Sequence, residues 1–411
     1  MSAVRQRGPL TWYAQFTLMS AVFAVAVGYG IVLPVLPILV ERLTRPSGLT
    51  ALSWHTGLLT GSYSLALFLF APLWGRVSDR YSRPRMLLFG LGGFASTLII
   101  FAVFDSLPML YLGRFLSGVC ASAVMPVAYA FLGDRAPTKE WRAHRFALLN
   151  IAGTAGFLIG PMFGSFALVS SSRMMTTDNN FGISAPLFAT SSLALLAGLM
   201  VWWLLPDSDR SNDMQFIAPK AKNSRRSIVQ LLSLSFVTAL AVGAFEVGLS
   251  LRGTQTLELS TYQIGIMFTE CSLVMFMAQA LVFSPFVKPE MTRHLVMPGL
   301  LILAVGLAAV PFADDFLMMT LAVALVAASA GILSPIATYW ISLGGGETQG
   351  AELGRQTAAA SLGQAAGSVA GGMLFDATIV PNAGFIFPAA LVVAGLVWSA
   401  GLSQRLARIS S

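Results

Sequence analysis

Three ionisable residues lie well inside long apolar runs, and their chemistry needs explaining first. Arg114 sits in the run 108–133, Glu246 in 228–252 and Glu270 in 261–285. A charge at the centre of a bilayer helix costs ~2.5–3.5 kcal/mol on insertion scales, so each should face a partner or a wet cavity. A carboxyl in such a place can shed that cost by taking a proton, and its charge state can then bias a conformational equilibrium. Counted at helical rise, Glu270 lies roughly 14 Å from the nearer end of its run, and Glu246 and Arg114 roughly 9 Å from theirs. Glu270 is therefore the leading candidate for a proton site, with Glu246 and Arg114 beside it. The plainer alternatives are a neutral, hydrogen-bonded acid with a packing role and an arginine that snorkels to the headgroups.

Other chemistries find no support. His55, His144 and His294 sit near the ends of runs without metal-ligand spacing, and Cys120 and Cys271 lie far apart inside apolar segments. No phosphate-binding loop, nucleophile elbow or pair of catalytic carboxylates is present, so the expectation is no enzyme, no metal and no cofactor.

The elements that position these groups are membrane spans. The 411 residues are 56% hydrophobic and only 10% charged, with a mean hydropathy of +0.74. Soluble domains carry roughly a quarter charged residues, so the chain reads as a polytopic membrane protein. Spans are expected near 12–40, 54–74, 86–105, 108–133, 143–169 and 185–205. A basic segment, 207–227, separates them from six more near 228–252, 261–285, 294–312, 315–343, 353–377 and 383–403. The formal charge of +7 is a matter of topology and not of nucleic-acid binding. Threading the spans with the N-terminus inside puts twenty of the 25 Lys and Arg on the cytoplasmic side and four outside, with Arg114 within a span. Both termini are thus expected in the cytoplasm. The first run is too long for a cleavable signal peptide.

The connection Gly75-Arg-Val-Ser-Asp79-Arg80-Tyr-Ser-Arg83-Pro-Arg85 places one acid among four arginines. It resembles the loop between the second and third helices of the major facilitator superfamily. Gly75, Ser78, Asp79, Arg80 and Arg83 match that pattern; Val77, Ser82 and Pro84 depart from it. Gly75 is expected to let the chain leave its helix tightly, and the loop to act as a gating latch; an ordinary positive-inside loop is the alternative. Arg114-Phe-Leu-Ser-Gly118 matches the superfamily signature associated with proton coupling. Pro34 and Pro37 close a first span similar to that of the twelve-span drug/proton antiporters, although it lacks the acid of tetracycline exporters. Gly156, Gly160, Pro161 and Gly164 resemble the antiporter ladder of the fifth span, with Ser165 in place of its last Gly. A comparable small-residue ladder, Gly363, Gly367 and Gly371, runs through the eleventh.

The resemblance implies an all-α polytopic membrane protein with twelve transmembrane helices in two six-helix bundles, the major facilitator fold. The expected division is a first bundle at 1–206, a cytoplasmic linker at 207–227 and a second bundle at 228–411. The implied function is proton-coupled export of a small organic molecule, such as a drug-like compound, secreted metabolite or siderophore, by alternating access in a bacterial inner membrane. An uptake permease on the same fold and a non-transporting receptor are the alternatives. The partners implied are that substrate, protons and the lipid bilayer, with no obligate protein partner. Tyr29, Met125, Tyr129, Glu246, Tyr339 and Trp340 are expected to line the substrate cavity, because Met and aromatic residues suit amphiphilic ligands.

Overall fold

A computed structural model describes residues 11–44, 52–103, 106–133, 135, 139–173, 181–205, 225–282, 287, 289–344, 349–375 and 382–410. Within them the chain is helical throughout, with no strand. In order the helices are α1 (Trp12–Thr44), α2 (Leu52–Arg80), α3 (Arg83–Val103), α4 (Leu107–Ala121), α5 (Val124–Gly133), α6 (Lys139–Arg173) and α7 (Phe181–Leu204). The second series is α8 (Arg225–Gln255), α9 (Thr261–Val282), α10 (Val296–Ala309), α11 (Phe316–Gly344), α12 (Gln349–Met373), α13 (Ala383–Trp398) and α14 (Leu402–Ser410). Helices α4 and α5 form one span, broken at Ser122–Ala123. Pro126 has no N–H to offer the Ser122 carbonyl four residues back, so the helix cannot run unbroken through this turn.

Ten of the described helical segments are long and apolar enough to cross a membrane on composition alone. The two remaining crossings are α13, apolar but only 16 residues long, and α12, which is long but rich in Gly, Ser and Gln. Helix α12 wedges between α8 and α2, and Gln356, Ser361 and Ser368 on it are buried against protein. A polar residue on such a helix is tolerated where it faces the bundle interior. The last expected span ends early: Gly401, at φ +80°, turns the chain into α14, whose Leu402 and Leu406 are buried.

Two apolar cores organise the packing. One draws on α1 to α7, the other on α8 to α11, α13 and α14; Leu353 of α12 joins the first and Leu33 of α1 the second. The face where α1 begins and α2 ends, with Arg83 and Arg85 at the start of α3, is the basic face of the molecule. Here the expected gating loop is mostly helix. Helix α2 runs through Gly75 to Arg80, only Tyr81 and Ser82 connect it to α3, and Gly75 therefore does not end the helix. Arg83 opens α3 and is buried. The side chains of Arg76, Asp79 and Arg80, and the linker up to residue 224, lie outside the described residues.

Candidate functional site

Helix α1 carries Tyr29 to the plane where the two cores meet. Its hydroxyl donates to Glu246 Oε2 of α8 at 2.8 Å. Gln364 of α12 donates from Nε2 to the same carboxyl oxygen at 2.7 Å and to the Tyr29 hydroxyl at 3.2 Å. One carboxyl thus joins a helix of the first series to two of the second. The Tyr29 ring lies 5.0 Å from Tyr63 of α2 and 5.9 Å from Phe157 of α6, centroid to centroid, which walls the junction with aromatic carbon.

Arg114 completes the cluster. Its guanidinium carbon sits 4.9 Å from the Tyr63 ring centre and 5.7 Å from that of Tyr29, within cation–π range. The residue is 3% exposed, so it points into the protein and does not snorkel to the headgroups. Its Nε and Nη2 find no hydrogen-bond partner among the described residues. A buried cation with unused donors beside a carboxyl suits a site that exchanges bound species. No described group of His, Cys, Asp and Glu could hold a metal ion.

Glycines let the surrounding helices come this close. A Cβ on Gly160 would stand 2.6 Å from Val27 O and 2.9 Å from Ile31 N of α1; one on Gly164 would stand 2.8 Å from Ile31 O. Gly156 faces Phe23 O in the same way, and Gly30 returns the contact against Pro161. The antiporter-like ladder is thus the seam between α6 and α1 and sets the height of Tyr29. Gly363, Gly367 and Gly371 press on α8 at Phe236, Leu240 and Ala244, so the same device sets Gln364 against Glu246. Away from the basic face, Gly57 of α2 and Gly372 of α12 bring the two series into backbone contact. Nearer the basic face, Thr154 of α6 donates to Gln279 of α9 at 3.2 Å.

The other expected site residues fall elsewhere. Glu270, first by depth, is half-buried on α9, and no described residue hydrogen-bonds it; depth along a helix does not give direction around it. Tyr129 donates to Asn150 at 2.7 Å inside the first core, with Met125 packed against that core. Trp340 is 1% exposed and donates to Thr292 at 3.1 Å in the second core, with Tyr339 edge-on to it. Trp340 therefore packs inside the second core. Gln364, Tyr63 and Phe157 were not singled out from the sequence. Of these, only Gln364 had a visible signal, since Ser361, Gln364 and Ser368 form a polar stripe at helical spacing.

A profile of the Major Facilitator Superfamily matches residues 18–343. Multidrug resistance protein 2 of Bacillus subtilis (strain 168) is 27% identical over 389 residues, covering 92% of each chain. Quinolone resistance protein NorA of Staphylococcus aureus (strain COL) is 27% identical over 368 residues, covering 89% of this chain and 90% of its own. Among solved structures, the human organic anion transporter MFSD10 (TETRAN) superposes with a TM-score of 0.74 over 94% of this chain and 98% of its own. At 19% identity that likeness speaks for the fold alone.

Proposed function

The chain belongs to the Major Facilitator Superfamily, and on that premise we propose that this membrane transporter exports a small amphiphilic molecule in exchange for protons. The observation that carries the reading is the Tyr29–Glu246–Gln364 junction beside Arg114. An ionised Glu246 accepts two strong hydrogen bonds and lies close enough to feel the Arg114 charge, which holds α1 against α8 and α12. A protonated Glu246 loses most of that attraction and frees the two halves to rock past one another. Glu246 is thereby the proton site, Arg114 the cation that ties its charge state to the first half, and the tyrosines the walls that an amphiphilic substrate meets.

Export is favoured by the small-residue seam of α6 on α1 and by the resistance proteins among the relatives. The rocking units are residues 1–206 and 228–411, joined by the linker 207–227, in a bacterial inner membrane with both ends cytoplasmic. Purified protein in liposomes, given a pH gradient and a panel of amphiphilic drugs including a fluoroquinolone, tests the reading. Net drug movement opposite to proton flow supports it. Drug movement in the direction of proton flow, or none for any compound, overturns it.

A further inference from the structure

A groove of about 500 Å³ lies away from the junction, on the outer surface of the second half, between α8, α10, α12 and α13. Leu232, Phe236, Leu300, Leu362, Leu391 and Trp398 line it, and its only hydroxyl side chains are Ser233 and Ser399. The helices that border it are membrane spans, and Val393, Val397 and Leu301 on them are exposed, so the groove opens into the bilayer. A void of this size does not stay empty beside hydrocarbon, and its shape and apolar lining suit an acyl chain.

The end of the groove nearest the basic face is different. Trp398 and Ser399 close it, and the Trp398 carbonyl accepts from Gln230 Nε2 at 2.8 Å. Gln230 Oε1 in turn accepts from Arg405 Nη1 of α14 at 2.6 Å. Arg405 is half-buried, and Arg226 at the start of α8 is exposed at the same end. Helix α14 is held there by burial of Leu402 and Leu406, so Arg405 is a fixed cation at the membrane surface above an apolar slot. That pairing of a hydrocarbon slot with a positive mouth has the chemistry of one ligand class.

We propose that this groove is a binding site for an anionic glycerophospholipid, with one acyl chain between α8 and α13 and the phosphate at Arg405. The bound lipid fills the gap beside Gly395 and Val237 and fastens α14 to the ends of α8 and α13. It lies outside the substrate pathway, on the face of α12 away from Glu246.

The test uses full-length protein stripped of lipid in detergent. Phosphatidylglycerol and phosphatidylcholine with identical chains are titrated, and bound lipid is counted by native mass spectrometry alongside the melting temperature. Wild type should retain one phosphatidylglycerol and prefer it over phosphatidylcholine by about fivefold, the effect of one cation near an anionic group. Arg405→Gln should bind the two lipids equally. Leu391→Trp, which fills the groove, should lose the retained lipid and its stabilisation; Leu362→Trp serves if that variant does not fold. No headgroup preference in wild type, or undiminished lipid retention in a folded groove-filled variant, would overturn the proposal. So would displacement of the lipid by tetraphenylphosphonium together with loss of transport in the filled variant, which would make the groove a substrate entrance.

Discussion

Replacing Tyr29 by Phe removes one oxygen from the junction and leaves its walls in place. The ring keeps its neighbours Tyr63 and Phe157 and its position under Arg114. What disappears is the 2.8 Å bond to Glu246 Oε2 and the weaker 3.2 Å bond from Gln364. Gln364 still has Glu246 at 2.7 Å, so its amide is not stranded and the second loss counts for little. A hydrogen bond to an ionised carboxylate contributes ~1.5–3 kcal/mol, against ~0.5–1.5 kcal/mol for a neutral pair. With Glu246 ionised, the substitution should therefore weaken the closed junction roughly tenfold to 150-fold; with Glu246 protonated, roughly twofold to tenfold. Distance distributions between spin labels, one in each half and measured across pH, report these populations directly. The variant should lose most of the pH dependence of the distribution and should export fewer substrate molecules per proton. Distributions that match wild type at every pH would refute the claim that this bond ties the halves together.

Three other perturbations separate packing from coupling. Gly160→Leu should open the seam of α6 on α1, where even a Cβ would stand 2.6 Å from Val27 O, and overpacking costs ~1–3 kcal/mol or more. Proton leak into substrate-free liposomes should rise, with Gly160→Ala intermediate; full coupled export in the Leu variant would make the ladder ordinary packing. Arg252→Leu should lower the melting temperature by several degrees, because Nη2 of this buried side chain serves Pro311 O at 3.2 Å and Ala313 O at 3.0 Å. Asp314→Asn should change it little, since its 3.5 Å contact with Arg252 comes from a side chain that is 88% exposed. Equal destabilisation by these last two substitutions would show the ion pair, and not the carbonyl bonds, to be the anchor.

Much of the architecture was legible because a bilayer leaves the backbone few choices. Long apolar runs separated by charged turns must be spanning helices, and the runs read from the sequence correspond to helices within a few residues. Helix α12 was legible for another reason: its glycines announced close packing although its hydropathy is low. The turn expected at Gly75 does not occur, because glycine permits a turn without requiring one, and α2 passes straight through that position. In the site, type and depth were legible but direction was not. Arg114 and Glu246 could be named as buried charges, yet nothing along one helix says that Tyr29, 217 positions from Glu246, supplies its hydrogen bond. Depth alone likewise says nothing of what Glu270 faces, nor that Trp340 packs inward on α11. Azimuth comes from long-range packing, and small-residue ladders are the part of that packing a sequence displays.

The central claim is that Glu246 carries the coupled proton, and Glu246→Gln against Glu270→Gln tests it most directly. Glutamine keeps the volume and can still accept from Tyr29 and Gln364, but it holds no exchangeable charge. The measurement is substrate-induced proton release in weakly buffered detergent, paired with pH-driven export in liposomes. The account predicts that Glu246→Gln abolishes both while substrate exchange down its own gradient persists, and that Glu270→Gln still releases protons. Normal proton release and export in Glu246→Gln, with their collapse in Glu270→Gln, would contradict it and move the proton to α9.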